Sequence, residues 1–116
     1  MKPTQINLHQ RSRILEISFE DGAQFSMPVE YLRVYSPSAE VQGHGPGQEV
    51  LQVGKEEVAS ERIEPVGNYA VRLCFDDGHD SGLYSWEELL RLATGREQLW
   101  QDYLDRLAAA GHRRRG

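Results

Sequence analysis

At 116 residues, with 39% hydrophobic and 27% charged side chains, the chain has the size and composition of one soluble domain. No run approaches the ~18 apolar residues of a membrane helix, and the single cysteine, Cys74, cannot form a disulfide within the chain. Thirteen Lys and Arg against eighteen Asp and Glu give a net charge of −5, so neither nucleic acid nor an anionic membrane is expected as a partner.

The opening segment, Met1 to Asn7, lacks the apolar core of a signal peptide, which together with the lone cysteine points to the cytoplasm. Leu15, Ile17 and Phe19 then alternate with Glu16, Ser18 and Glu20, the period of a half-buried strand. After Asp21-Gly22, the residues Ala23, Phe25 and Met27 alternate again. A two-residue turn would set Phe19 opposite Gln24 and put the two apolar sets on opposite faces. A three-residue loop, Glu20-Asp21-Gly22, pairs Phe19 with Ala23, Ile17 with Phe25 and Leu15 with Met27. It places Gly22 in the left-handed conformation, and the pattern favours it.

Pro28 to Val34 reads as a short helix with proline in its first turn, stopped near Ser36, which precedes Pro37. Gly43-His44-Gly45-Pro46-Gly47 is a loop. Val50 to Val58 and Arg62 to Val66 read as strands, with Pro65 marking an edge or an end. The stretch Leu73 to His79 echoes Ile17 to Ala23. The same register sets His79 opposite Phe75, Ser81 opposite Leu73 and Leu83 opposite Val71, so His79 faces the apolar side and Cys74 faces away.

Ser85-Trp86-Glu87-Glu88 is a capping box, with Tyr84 and Leu89 placed as a hydrophobic staple. The helix it starts carries Trp86, Leu89, Leu90 and Ala93 as one stripe. Thr94-Gly95-Arg96-Glu97 reads as a second box opening a second helix, whose face holds Leu99, Trp100, Tyr103, Leu104 and Leu107 and which ends by Gly111. The fold class is therefore α+β: antiparallel β-hairpins forming small sheets, packed against two C-terminal helices. One domain spans 1–110, followed by a disordered basic tail, 111–116.

No motif carries an obvious chemistry. Gly54-Lys55-Glu56 places acid where a phosphate loop needs a hydroxyl. Cys74 has no activating base in a readable relation to it and reads as a small buried hydrophobe. The serines have turn or cap readings, so no catalytic residue and no cofactor is assigned. Asp76-Asp77-Gly78-His79-Asp80 could hold a divalent metal, which leaves a small metal-dependent enzyme centred on Asp76, Asp77, His79 and Asp80 as an alternative. A polar hairpin turn explains the same residues more simply. A structural homo-oligomer, using a sheet edge or Trp100, is a further alternative.

The string from Phe75 to Trp86, with Leu32 to Ser38 and Ser38 to Gly47, resembles the gamma-butyrobetaine hydroxylase-like N-terminal domain family in its small stand-alone bacterial form, over roughly residues 3 to 106. In the hydroxylases this domain precedes a separate catalytic jelly roll that carries the iron and 2-oxoglutarate chemistry, so the resemblance does not imply an enzyme. It is a metal-binding family, holding structural zinc through a Cys-x-Cys-x-x-Cys run and a later histidine. Here Ser36, Ser38 and Val41 occupy the cysteine positions and only His79 remains, so the zinc site is lost. The same domain occurs fused to P-loop ATPases that carry iron–sulfur clusters. This implies an accessory, protein-binding role in iron–sulfur or metal handling, with an iron–sulfur carrier ATPase as the partner class. The resemblance also implies that Ser36–Gly47 and Asp76–Ser81 adjoin. Ser36, Ser38, His44, Asp77 and His79 would then form a polar surface patch for a partner protein.

Overall fold

A computed structural model describes residues 1–114. The strands β1 (Pro3–His9), β2 (Ile14–Phe19) and β3 (Gln24–Pro28) form one antiparallel sheet in that order. A short helix, α1 (Val29–Val34), and a single turn, α2 (Ala39–Gln42), lead into a long loop. The strands β4 (Ser60–Val66), β5 (Ala70–Phe75) and β6 (Leu83–Ser85) form a second antiparallel sheet, followed by α3 (Trp86–Thr94) and α4 (Arg96–Ala109). This is the α+β arrangement the sequence predicts.

The two hairpins turn by the same device. Phe19 N–H donates to Ala23 O at 2.9 Å and Gly22 N–H to Phe19 O at 2.9 Å; Phe75 N–H donates to His79 O at 3.0 Å and Gly78 N–H to Phe75 O at 3.2 Å. Both glycines sit at φ 89°, which a β-carbon disfavours. The first hairpin then pairs Ile17 with Phe25 and Leu15 with Met27, as the hydrophobic pattern requires.

The second hairpin departs from its predicted register. Val71 pairs with Tyr84 and Arg72 with Leu83, one residue away from the expected match of Val71 with Leu83. An extra residue is absorbed between His79 and Leu83. The slip turns Tyr84 fully inward and leaves Leu83 45% exposed, because side chains alternate along a strand. Beside the slip lies a long-range contact: Gly82 packs against Ser36, where a β-carbon would collide with Ser36 Oγ.

Other expectations are corrected in the same way. Val50–Val58 forms no strand; Gly54 turns at φ 72°, and Val50 and Val53 face solvent. The strand β1 was not expected, since only Ile6 and Leu8 mark it, and both are half-buried. Ser85 accepts from Glu88 N–H at 3.1 Å, as a capping serine should, while the Glu88 carboxylate pairs with Arg91 rather than reaching back. At the second helix start Thr94 Oγ1 donates back to Leu90 O at 2.9 Å, so Gly95 stands at the N-cap with no side-chain cap. Pro65 lies in an edge strand, where its missing N–H costs no ladder bond. Cys74 is buried and unpaired.

One core joins both sheets. Leu15, Ile17, Phe19 and Met27 meet Leu73, Phe75 and Tyr84, with Tyr31 and Leu32 of α1 and Leu89 and Leu92 of α3 closing it. Tyr103 and Leu107 of α4 pack with Val34 in a smaller cluster. The buried tyrosines keep their hydroxyls satisfied on main-chain carbonyls: Tyr31 on Leu92 at 2.7 Å, Tyr84 on Leu32 at 2.6 Å and Tyr103 on Gln52 at 2.7 Å. Of the C-terminal tail, 111–114 is described and Arg114 pairs with Glu30; residues 115 and 116 lie outside the described residues.

Candidate functional site

The two segments that the resemblance brings together do adjoin. The helix α1 ends at Val34, and Ser36-Pro37 leads into Ser38, which is extended and caps α2 by accepting from Glu40 N–H at 3.2 Å. This presents Ser36 and Ser38 to the loop of the second hairpin. Ser36 Oγ lies 2.8 Å from His79 Nε2, and Ser38 Oγ lies 2.8 Å from Ser81 Oγ. Glu40 closes the ring from outside: its Oε2 is 3.3 Å from His79 Nδ1, and its Oε1 accepts from Ser81 Oγ at 3.1 Å.

The proton positions follow from the acceptors. The Glu40 carboxylate faces Nδ1, so Nδ1 carries the proton and Nε2 accepts from the Ser36 hydroxyl. Burial pushes the imidazole pKa down, and the nearby Arg33 guanidinium adds to this, against an opposing pull from Glu40 and Asp77. The balance favours the neutral imidazole.

Asp77 works beside this ring. Its Oδ1 accepts from His79 N–H at 3.1 Å, and its Oδ2 from Arg33 Nε at 2.9 Å and Lys55 Nζ at 2.7 Å. Burial alone would raise this carboxyl. The bonds from Lys55, the His79 amide and Arg33 overcome it and hold the pKa at about 2.

Of the expected surface patch, Ser36, Ser38 and His79 form instead an internal polar knot, with Asp77 exposed at its edge. Ser36 is 0% exposed, His79 6% and Ser38 8%. His44 does not join it: the residue is exposed and its amide is held by Gln48 Oε1 at 3.2 Å. Sequence reasoning missed Glu40, Ser81, Arg33 and Lys55, the groups that satisfy the knot. The Ser38-to-Glu40 spacing, a serine cap with acid in the first turn, signals only that a helix starts there.

Serine, imidazole and carboxylate in this order resemble the relay of a hydrolase. The geometry lacks access, however. Ser36 Oγ is covered by the Gly82 backbone and by the Ser38 amide, which donates to it at 3.3 Å. The relay acts as a clasp between two loops.

The family model for gamma-butyrobetaine hydroxylase-like N-terminal domains matches residues 6–90. The chain belongs to this family. Two NMR solution structures share 51% and 56% identity with this family member, each with a TM-score of 0.83. The matches cover 96% and 97% of this chain and 87% and 84% of theirs. A crystal structure of a protein of unknown function from Acidithiobacillus ferrooxidans, of the DUF971 family, shares 37% identity. That match covers 79% of this chain and 92% of the other, with a TM-score of 0.67. Comparison with curated proteins returns no match.

This gamma-butyrobetaine hydroxylase-like domain does not fit a structural zinc. Such a site takes four ligands, thiolate or imidazole by preference. Here Ser36 and Ser38 supply neutral hydroxyls already committed to His79 and Ser81, and Val41 supplies a buried methyl surface. The alternative centre on Asp76, Asp77, His79 and Asp80 does not converge either. Asp76 Oδ1 accepts from Ala59 N–H at 3.1 Å, Asp77 is bound to Arg33 and Lys55, and Asp80 is exposed. Among the described residues, no three His, Cys, Asp or Glu side chains gather to share an ion.

Proposed function

We propose that this chain is a non-catalytic accessory module that binds a partner protein in the cytoplasm. The observation that carries the reading is the sealed clasp. Ser36 sits at 0% exposure beneath Gly82, so its relay to His79 holds loops together and reaches no substrate. What faces outward around the clasp is a polar rim: Glu40, with 70% of its side chain exposed, and the exposed Asp80 and Ser81, while His44 is exposed on the loop that follows α2. Polar loops held on a rigid scaffold are where binding concentrates.

The partner class we favour is an iron–sulfur carrier P-loop ATPase, and the support for it is the family resemblance. The test uses that ATPase, purified from the same cell, in a calorimetric titration with the whole chain. Saturable binding is expected, weakened at least tenfold by the pair His44→Ala and Asp80→Arg, with the melting temperature moved by no more than a few degrees. No binding, or binding indifferent to that pair, overturns the reading.

A further inference from the structure

Away from the clasp, a recess of about 210 Å³ opens between α1 and α4, lined by Pro28, Glu30, Tyr31, Arg96, Trp100 and Arg114. Its floor is unusual. Glu30 is a carboxylate with only 7% of its side chain exposed, set on a helix whose other residues are all buried. A buried carboxylate without a cation is costly, so Glu30 demands a positive group.

The group that Glu30 holds, at the wall of the recess, is a guanidinium. Arg114 donates Nε to Glu30 Oε2 at 2.8 Å and Nη2 to Glu30 Oε1 at 2.5 Å, a two-pronged pairing that an ammonium cannot reproduce. The guanidinium carbon lies 5.4 Å from the centre of the Trp100 ring, within cation–π range. Arg96 does not compete for the carboxylate in this arrangement, since its Nη1 donates to Ser26 O at 2.6 Å. A buried acid and an indole face together select a planar cation.

We propose that Glu30 and Trp100 together form a binding site for an arginine side chain, taken in cis by Arg114 at the wall of the recess and open to an arginine-bearing segment of a partner when the tail lifts. Two features bear on exchange, the first against an incoming ligand and the second for it. Arg114 reaches the recess from beyond the end of α4 at Ala109, on a short tether that gives it a high local concentration. The chain carries a net charge of −5, which draws a basic segment toward it. The tether makes Arg114 a competitor that an incoming arginine must displace.

The test uses the full-length chain with Arg113→Ala, Arg114→Ala and Arg115→Ala combined. The probe is the capped peptide Gly-His-Arg-Arg-Arg-Gly, followed by NMR at the Trp100 indole and the Glu30 amide. Saturable shifts are expected, with affinity at least tenfold higher than for the unsubstituted chain, and they should vanish when Glu30→Gln is added. No saturable shift, equal binding to the unsubstituted chain, or equal binding of the lysine peptide Gly-His-Lys-Lys-Lys-Gly overturns the proposal. Should the triple variant fail to fold, the unsubstituted chain decides. A cross-relaxation contact between the Arg114 Nε–H and the Trp100 ring supports the site, and its absence overturns it.

Discussion

His79 Nε2 accepts from the hydroxyl of Ser36, 2.8 Å away and 43 positions distant in sequence, and the pair is buried. The link closes the α1–α2 connection onto the second hairpin. Removing either partner leaves the other without its bond inside the protein. Ser36→Ala should cost about 1–3 kcal/mol, the penalty of an unsatisfied buried polar group. His44→Ala, on the exposed loop, should stay within about 0.5 kcal/mol. Thermal melts of the two variants check this, and equal melting temperatures would remove the structural role given to the clasp.

Acid should loosen the fold in two steps. The His79 pKa is lowered in the folded state, so the unfolded chain takes up the proton first. Stability is complete above the ordinary imidazole pKa of ~6.5 and falls as pH drops toward the folded value. Asp77 acts at lower pH: its contribution is present above 3.8 and is lost as pH falls to about 2. Denaturant midpoints measured from pH 8 to pH 2 should fall in both windows. His79→Gln should flatten the upper one; an unchanged upper slope in that variant would place the titrating group elsewhere.

Zinc should be irrelevant to folding. The positions that bear thiolates in the resemblance hold Ser36, Ser38 and Val41, and their hydroxyls are occupied. Purified protein is expected to carry well under one zinc per chain by elemental analysis, and a chelator should leave the melting curve unmoved. One tightly held zinc per chain refutes this.

Two glycines should respond to alanine for different reasons. Gly22 has open space around it but sits at φ 89°, so Gly22→Ala costs about 1 kcal/mol through backbone strain. Gly82→Ala pushes a methyl group into Ser36 Oγ and against Tyr84, where the contact is 3.3 Å. Overpacking of this kind costs about 1–3 kcal/mol. It should also change the chemical shifts of His79, which Gly22→Ala should not. Undisturbed His79 resonances in Gly82→Ala would mean that the glycine is not needed for the close approach.

Local chemistry made the hairpin loops legible. Alternation around Phe19 and a glycine three positions on fix one loop, and the same spacing after Phe75 fixes the other and turns His79 inward. The remainder depends on distant partners. Nothing near Leu83 reveals that Ser36 lies against Gly82, and nothing there signals the one-residue slip that turns Tyr84 inward. Glu40 looks like helix-start acid until the fold brings it 3.3 Å from His79. Val50 to Val58 has strand-like composition, yet its valines find no ladder, and the main chain instead docks Val50 N–H on Val41 O at 2.7 Å. The burial of Ser36 was equally hidden, because a serine before proline reads as a turn.

The clasp also orders events in time. Each hairpin closes a loop of a few residues, an event on the microsecond scale. Joining Ser36 to His79 requires a far longer stretch of chain to be brought together first, and its closure entropy is met only by hydrogen bonds that form once the surrounding core is dry. The two sheets should therefore assemble ahead of the clasp. On unfolding, the connection from Ser36 to Val58 should open first, as an independent unit with the earliest amide exchange.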